Sequence, residues 1–267
     1  IDRMENGEVV RYSHVGTGNL NEKTARLYTD FTLLTADTEI CEDVNEVFEF
    51  LKYNYRRPDY KHLLVSPHTS RGGIMRLIDE EIANARQGFR AQLFFKCNNL
   101  VDRQLTLKLY EASQAGVEVK LIVRGMCSLL PGVSGISENI KAISIIDRFL
   151  EHPRVYVAHN RGEPKYYIGS ADLMTRNIDY RVEVICPVKD ADAQRTLQDI
   201  LDQQWNDNCK ARVIDAYQSN NIVTSEGKAT LVRSQETIHR YLETGKLPRM
   251  PKSSMRKPSI RRRRGKS

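Results

Sequence analysis

An internal repeat constrains the fold of this chain more than any other feature of its sequence. A shift of 153 residues places the turn Gly16–Leu20 over Gly169–Leu173 and the acid Asp30 over Glu183. Each segment reads as a strand, a turn of small residues, a polar loop, a strand that carries an acid, and a helix. The agreement at one shift predicts two similar half-domains. We call the segment around the first turn the N-terminal copy and the segment around the second turn the C-terminal copy.

Hydrophobic periodicity predicts alternating strands and helices, which is typical of an α/β fold whose apolar strands are covered by helices. Helices are predicted at Glu39–Tyr53, Ser70–Gln87, Asp102–Ala115 and Asp190–Trp205. Strands are predicted at Val9–Tyr12, Tyr28–Leu34, His62–Ser66, Ala91–Cys97, Val117–Val123, Ala142–Ile146, Val155–Ala158, Tyr166–Gly169 and Arg181–Val188. The helix after Asp37 matches the helix that begins near Asp190 at the same shift, which extends the repeat.

Positive charge is concentrated at the C-terminal end. The formal net charge is +7, but residues 249–267 contain nine Lys or Arg and no acid, which leaves −2 for residues 1–248. A site for polyanions in the folded part must therefore be a local cluster of cations. Residues after about Leu247 are rich in Pro, Ser and Arg, which predicts a disordered basic tail.

The sequence contains no apolar run long enough to span a bilayer. Its polar start lacks a signal peptide and an initiator Met, so we expect a piece of a longer protein. Its five cysteines are scattered without a CxxC pair, which favours a reducing cytoplasm.

One set of residues is similar to a half-site of the phospholipase D superfamily: His152-Pro153-Arg154, then Gly169–Asp172, then Asn177. Arg154 stands where the superfamily has Lys, and Asn177 lies later than the usual spacing. Both differences argue against an ordinary phosphodiesterase.

The repeat indicates where a second histidine would lie. His152 stands just before the first strand of a predicted hairpin whose turn is 160–164, whereas the N-terminal copy has its hairpin turn at Glu5-Asn6-Gly7. The position that matches His152 therefore falls a few residues before Ile1.

A longer series of motifs resembles polyphosphate kinase, in order, over most of residues 8–215. The motifs are 14–19 (HVGTGN), 24–30 (TARLYTD), 33–37 (LLTAD), 98–102 (NNLVD), 112–117 (ASQAGV), 122–127 (IVRGMC), 148–152 (RFLEH), and 170–172 (SAD) through Arg176-Asn177. The resemblance implies an α/β fold with a phospholipase D-like mixed sheet flanked by helices, one half-domain being truncated and one complete. The implied division is residues 1–55 for the rest of the first catalytic domain, 60–217 for the second, 218–248 for an extension and 249–267 for the basic tail.

The family resemblance also implies an activity. Polyphosphate kinases transfer the terminal phosphate of ATP reversibly to inorganic polyphosphate, with Mg²⁺ and a phosphohistidine intermediate. The phosphorylated histidine would be the one upstream of Ile1, so this chain alone is expected to be inactive or nearly so. ATP or ADP and polyphosphate are the expected partners, in a homo-oligomeric full-length protein with no nucleic-acid partner. The expected location is the cytoplasm, with peripheral attachment to the inner membrane as an alternative.

Four residues are the site candidates. His152 can exchange a proton near neutral pH and is the catalytic candidate, and as a cation it is also expected to bind ATP or phosphate. Arg124 ends an apolar strand, where a guanidinium suits phosphate, and the resemblance assigns it to ATP phosphates. The resemblance places Tyr28 at the nucleotide, with Asp30 close by.

Further groups could support these four residues. Glu183 could orient the ring of His152, and the turn 16–19 could offer backbone N–H groups to a phosphate. Three arginines would add to a positive wall around the site: Arg148, Arg176 and Arg181. No residue is identified as a metal ligand.

Two other functions fit the same residues. A phospholipase D-like phosphodiesterase or nuclease would use His152 directly, although Arg154 counts against it. A noncatalytic module would bind polyanions through the basic tail. Each candidate also has an ordinary structural interpretation, such as a strand tyrosine at 28 or a surface ion pair at Arg124.

Overall fold

The computed structural model of the chain describes residues 1–224 and 230–247. The helices are α1 (Glu22–Ala25), α2 (Thr38–Lys52), α3 (Ser70–Arg86), α4 (Arg103–Gln114), α5 (Thr175–Asp179), α6 (Ala191–Trp205) and α7 (Ser234–Thr244). The strands are β1 (Asp2–Glu5), β2 (Glu8–Arg11), β3 (Ser13–Gly16), β4 (Tyr28–Thr29), β5 (Thr32–Thr35), β6 (Leu64–Ser66), β7 (Gln92–Cys97), β8 (Glu118–Val123), β9 (Ile140–Ile145), β10 (Leu150–Glu151), β11 (Arg154–Ala158), β12 (Lys165–Gly169), β13 (Glu183–Val188) and β14 (Ala211–Ile214). The predicted basic tail, residues 249–267, lies outside the described residues.

An eight-stranded mixed sheet forms the largest part of the molecule, with the order β14-β9-β8-β7-β11-β12-β13-β6. Strands β7, β8 and β9 are parallel, and the other neighbours are antiparallel. Side chains alternate between the two faces. Phe95 and Tyr156 face a core shared with α3 and α4, whereas Phe94 and Val155 face a core shared with Trp205 of α6. The predicted α/β class, with a mixed sheet flanked by helices, is confirmed.

The repeat is present in the structure with the same spacing of 153 residues. Strand β3 pairs with β5 so that Gly16 faces Thr32, and β12 pairs with β13 so that Gly169 faces Ile185. Helices α2 and α6 each contain 15 residues. The carboxylate of Asp37 caps α2 by accepting the N–H of Ile40 (3.0 Å), and Asp190 caps α6 in the same way. The two copies therefore share register, helix length and cap.

The strand predicted at Tyr28–Leu34 is wrong as one element. Residues Tyr28–Thr29 pair in parallel with Leu150–Glu151 of β10, and only Thr32–Thr35 pair with β3. The chain leaves one sheet for another at Asp30, whose carboxylate turns toward Thr17 and His152. A pairing partner about 120 residues away leaves no mark on local periodicity, which explains the error.

The sequence patterns also did not predict strand β14 or helices α5 and α7. Helix α7 packs against α6, and its Gln235 donates to the carbonyl of Phe149 at 2.8 Å. Within residues 1–224 and 230–247, every helix is too short or too polar to cross a membrane.

Candidate active site

Strands β4 and β10 join the two copies at the site. Their parallel pairing puts Tyr28 beside Leu150 and Thr29 beside Glu151, and the N–H of Leu150 donates to the carbonyl of Leu27 at 2.9 Å. His152 follows β10 directly, and Asp30 follows β4 directly. This short pairing therefore brings Tyr28, Asp30 and His152 together from distant parts of the sequence.

His152 is held by Asp30. Its Nδ1 lies 2.9 Å and 3.1 Å from the two carboxylate oxygens, and Nη1 of Arg154 lies 3.0 Å from its Nε2. Because a carboxylate only accepts, Nδ1 carries the proton that Asp30 accepts, whereas Nη1 of Arg154, which is also 3.4 Å from Nδ1, lies over the face of the ring and does not use the Nε2 lone pair. A carboxylate that fixes the tautomer of a histidine is the arrangement that prepares an imidazole for acid–base or nucleophilic chemistry. The imidazole is 14% exposed.

Arg154 and Asp172 form a buried ion pair behind His152. Nε and Nη2 of Arg154 donate to the two oxygens of Asp172 at 3.2 Å and 3.3 Å, and its Nη1 donates to the carbonyl of Thr17 at 3.0 Å. Burial by itself would raise the pKa of Asp172, but Arg154 lowers it below its usual value. The charge of Arg154 is therefore neutralised by a carboxylate, which makes it a poor replacement for the free lysine of a phosphodiesterase.

Arg124 is the cation whose charge remains available. Its Nε donates to the side-chain oxygen of Asn98, and no carboxylate in residues 1–224 or 230–247 forms an ion pair with it. Its Nη1 and Nη2 likewise have no hydrogen-bond partner in that part of the chain. Burial lowers the pKa of Arg124, so the guanidinium is partly dehydrated, although it stays protonated at neutral pH. A guanidinium that is held in one orientation and keeps its charge unpaired is suited to binding a phosphate.

Tyr28 lies against the catalytic candidate. Its ring centroid is 5.1 Å from that of His152 with an angle of 45° between the planes. The structure thus brings Tyr28, Asp30 and His152 together, and Arg124 connects to His152 through Asn98, whose amide donates to the carbonyl of His152 at 3.2 Å.

The turn 16–19 positions Asp30, and one of its N–H groups is already used within the fold. The N–H of Thr17 already donates to the carbonyl of Phe31 at 2.9 Å, so it is not free for a phosphate. Instead, the Thr17 hydroxyl donates to Asp30 at 2.7 Å. A Cβ on Gly18 would lie 1.9 Å from a carboxylate oxygen of Asp30. Glycine at 18 therefore makes room for the carboxylate that holds His152.

The prediction that Glu183 orients His152 is wrong, because Asp30 takes that position. Glu183 accepts the hydroxyl of Ser170 and the amide of Asn177, the latter at 2.6 Å. Ser170 and Glu183 correspond to Thr17 and Asp30 at the shift of the repeat. The comparison of the two copies indicated the wrong carboxylate because Asp30 of one copy contacts a histidine that lies beside the other copy. The arginines Arg148, Arg176 and Arg181 are exposed.

A buried carboxylate beneath the site escaped the sequence analysis. Glu151 is 4% exposed and accepts Lys96 Nζ at 2.7 Å, Gln204 Nε2 at 2.7 Å and Gln235 Nε2 at 2.8 Å. Burial alone would raise the pKa of Glu151, but Lys96 and the two amide donors lower it. The cluster fastens β10, and with it His152, to β7, α6 and α7.

Asn98 was also missed as a site residue. The motif Asn98-Asn99 was visible as part of the family resemblance, but only the structure shows its contacts. A lysine inside the apolar strand Ala91–Cys97 was the one local signal for the buried cluster around Glu151, since a buried lysine needs a partner.

The side chains of residues 1–224 and 230–247 do not form a metal site by themselves. Among the described residues, no group of three or more His, Cys, Asp or Glu side chains is arranged to hold a metal ion. Mg²⁺ is often bound through substrate phosphates with only one or two carboxylates. The residues present therefore fit a metal that arrives with a nucleotide, and no chemical step here depends on one.

Comparisons with known proteins identify a family to which the chain is similar. A family model described as "Polyphosphate kinase C-terminal domain 2" matches residues 63–235, and one described as "Polyphosphate kinase C-terminal domain 1" matches residues 1–57. Proteins named polyphosphate kinase from Vibrio parahaemolyticus and Escherichia coli are 53% and 52% identical to this chain over 91% and 93% of its length.

A crystal structure of polyphosphate kinase from Porphyromonas gingivalis matches with a TM-score of 0.84 and 40% identity, over 90% of this chain and 37% of that chain. The chain covers 35% and 36% of the Vibrio and Escherichia proteins. It therefore spans little more than a third of the length of these relatives.

Proposed function

This chain belongs to the polyphosphate kinase family, and from that premise we propose that its described residues form the nucleotide side of a site that transfers a phosphoryl group between ATP and inorganic polyphosphate. The convergence of Tyr28, Arg124 and His152 from three separate elements carries this proposal. Each of them matches one requirement for holding a nucleotide and its phosphates.

Arg124 and His152 would act on the phosphates. Phosphoryl transfer depends on positioning and on neutralising the charge of the equatorial oxygens. Arg124 presents an unpaired guanidinium fork for this purpose. Nε2 of His152, with Nδ1–H held by Asp30, can accept a proton, and once protonated it can donate to a phosphate oxygen. Tyr28 offers an aromatic face on which an adenine can stack.

A second histidine, outside this chain, would carry the phosphoryl group. Glu183 and Ser170 repeat the arrangement of Asp30 and Thr17, but no imidazole among the described residues contacts Glu183. The side-chain oxygen of Asn177 beside it is buried without a hydrogen-bond partner in that part of the chain. Both features suit an imidazole that enters from another segment. A histidine nucleophile would divide a transfer between two anions into two steps.

The same proposal extends to the whole protein. The division at 1–55, 60–217 and 218–248, with a basic tail at 249–267, remains an interpretation. ATP or ADP, polyphosphate and Mg²⁺ would be its ligands, and a homo-oligomer in the cytoplasm, attached or not to the inner membrane, would be its working form.

Nucleotide binding by this chain tests the proposal directly. Titration calorimetry with ADP and Mg²⁺ should give saturable binding, and Arg124→Ala should weaken it about tenfold or more, as expected for a lost contact to a charged group. Arg195→Ala is the matched control, because Arg195 is 71% exposed and, in the described part of the chain, forms its ion pair with Asp192 on α6. Equal loss in both variants, or no binding at all, would contradict the proposal.

An assay for transfer of labelled phosphate tests whether a second histidine is needed in addition to His152. This chain should not move the terminal phosphate of ATP to polyphosphate at a measurable rate. Robust turnover would show that the residues described here suffice and that no further histidine is needed. Hydrolysis of a phosphodiester that disappears in His152→Ala would favour the phosphodiesterase alternative instead.

A further inference from the structure

We infer that Asn98 is a positioning residue that sets the spacing and the charge state of the pair Arg124 and His152. The inference rests on the proposed function of that pair. Asn98 follows β7 directly and is 2% exposed. Its side-chain oxygen accepts Nε of Arg124, and its side-chain nitrogen donates to the carbonyl of His152 at 3.2 Å. One amide thus connects residues that come from β8 and β10.

The backbone of Asn98 is fixed as firmly as its side chain. Its N–H donates to Asp172 at 2.8 Å, and its carbonyl accepts the N–H of Gly125 at 2.8 Å. A Cβ on Gly125 would lie 2.8 Å from that same carbonyl, so the loop after Arg124 passes as close as a backbone can. Every polar group of Asn98 is therefore used, and a shift of Asn98 would move both site residues.

The amide is chemically suited to this task, whereas a carboxylate is not. An aspartate at 98 would still accept Nε of Arg124, but it would neutralise the guanidinium and repel the carbonyl of His152. The neutral amide orients Arg124 and leaves its positive charge for the ligand. Nη1 and Nη2 of Arg124, which have no partner in residues 1–224 and 230–247, are then held in one direction.

Two variants with a matched control test the inference. Asn98→Ala should weaken binding of ADP with Mg²⁺ about tenfold, and Asn98→Asp should weaken it at least as much although it keeps the shape. The control is Asn84→Ala on α3. Asn84 is 5% exposed and accepts Nε of Arg161 at 2.7 Å, near the opposite end of β11 from His152. This control should lower the melting temperature and leave the affinity unchanged.

A double-mutant cycle shows whether Asn98 acts through Arg124. The loss of ADP affinity in the variant Asn98→Ala with Arg124→Ala should be smaller than the product of the two single losses, because part of the Asn98 effect passes through Arg124. Fully multiplicative losses would overturn the inference, and so would unchanged affinity in Asn98→Ala.

NMR of the unsubstituted chain provides a readout that requires no folded variant at position 98. The Nε–H resonance of Arg124, assigned by its absence in Arg124→Lys, should exchange slowly with solvent. Rapid exchange would contradict the anchoring of Arg124. A chain that binds no nucleotide but keeps this protected proton would sink the proposed function and leave the positional role of Asn98 standing.

Discussion

The N-terminal and C-terminal copies share one hydrogen-bonded arrangement, which we call the device: a hydroxyl donates to a carboxylate, and the carboxylate accepts from a third side chain. In the described residues, only the device of the N-terminal copy holds an imidazole. In the N-terminal copy Thr17 donates to Asp30, and Asp30 holds His152. In the C-terminal copy Ser170 donates to Glu183, and Glu183 holds Asn177. In both, the hydroxyl also accepts a backbone N–H, from Phe31 at 2.9 Å or from Val184 at 3.3 Å. The hydroxyl, the carboxylate and the backbone bond are therefore a conserved unit of the repeat, and the group that the carboxylate holds is the variable part.

The difference teaches how the two copies depend on each other. The carboxylate of the N-terminal copy reaches an imidazole that stands beside the C-terminal copy, so neither copy contains both members of this pair. The corresponding contact in the other direction would place an imidazole from another segment against Glu183. The strand pairing β4–β10 is what allows the first exchange, since it carries Asp30 and His152 to the same point.

The largest expected effect comes from breaking the device of the N-terminal copy. In a chimera that carries this chain in place of the matching third of the Escherichia coli relative, Asp30→Asn should lower the rate of phosphoryl transfer by about 10³–10⁴-fold, because the amide no longer fixes the Nδ1–H tautomer of His152. Nitrogen NMR of the imidazole should show the change of tautomer. Asp192→Asn on the exposed face of α6 is the control, and equal rates for Asp30→Asn and this control would refute the role of the device.

The seam between the copies gives the next largest effect, on stability. Glu151→Ala leaves Lys96 buried without its partner and should lower the free energy of unfolding in urea by about 3–5 kcal/mol. Amide exchange should accelerate at Tyr28–Thr29 more than in β7 and β8, since β10 holds β4 in place.

A paired replacement checks that the Glu151 effect is electrostatic. Lys96→Met combined with Glu151→Leu should recover much of the loss, because an apolar pair of similar volume replaces the uncompensated charge. If the double variant were less stable than Glu151→Ala, packing rather than charge would explain the result.

The sequence predicted what is encoded locally within each copy. Helices α2 and α6 follow from apolar periodicity, and the structure adds that Asp37 and Asp190 cap them. The shift of the repeat also placed Gly16 over Gly169, and in the structure these glycines occupy equivalent pairing positions. These features need only neighbours in sequence.

What the sequence did not predict depends on contacts across the copies. The break at Asp30, the partner of His152 and the cluster around Glu151 all join residues more than 50 positions apart. Hydrophobic periodicity carries no information about such distant pairs. The repeat indicated Glu183 as the partner of His152, because an alignment of the two copies does not show which copy contacts which residue. The one local signal in the sequence was Lys96, a charged residue inside an apolar strand, which indicates a buried partner.

The device of the C-terminal copy can be distinguished from that of the N-terminal copy by the step that each one affects. In the same chimera, Glu183→Gln should reduce the rate at which ATP labels the protein about 100-fold, the usual scale for losing a group that orients a histidine. In this chain alone the same substitution should leave the affinity for ADP unchanged. A weakened affinity would place Glu183 at the nucleotide and undo the distinction between the two copies.

The smallest effect compares the equivalent helix caps. Asp37→Ala and Asp190→Ala should each lower the free energy of unfolding by about 1 kcal/mol, with the larger loss at Asp37, because Lys189 also contacts Asp37 at 3.1 Å. The N–H of Ile40, together with Lys189, lowers the pKa of Asp37 against a smaller opposing effect of burial. A carboxyl with a lowered pKa in the folded state contributes stability above its unfolded pKa and loses it as the pH falls through the folded value. The difference in stability between the unsubstituted chain and Asp37→Ala should therefore be full near pH 6 and shrink below about pH 4. Urea titrations at both pH values measure it, and a difference that grows in acid would mean that the charge of Asp37 does not support the helix.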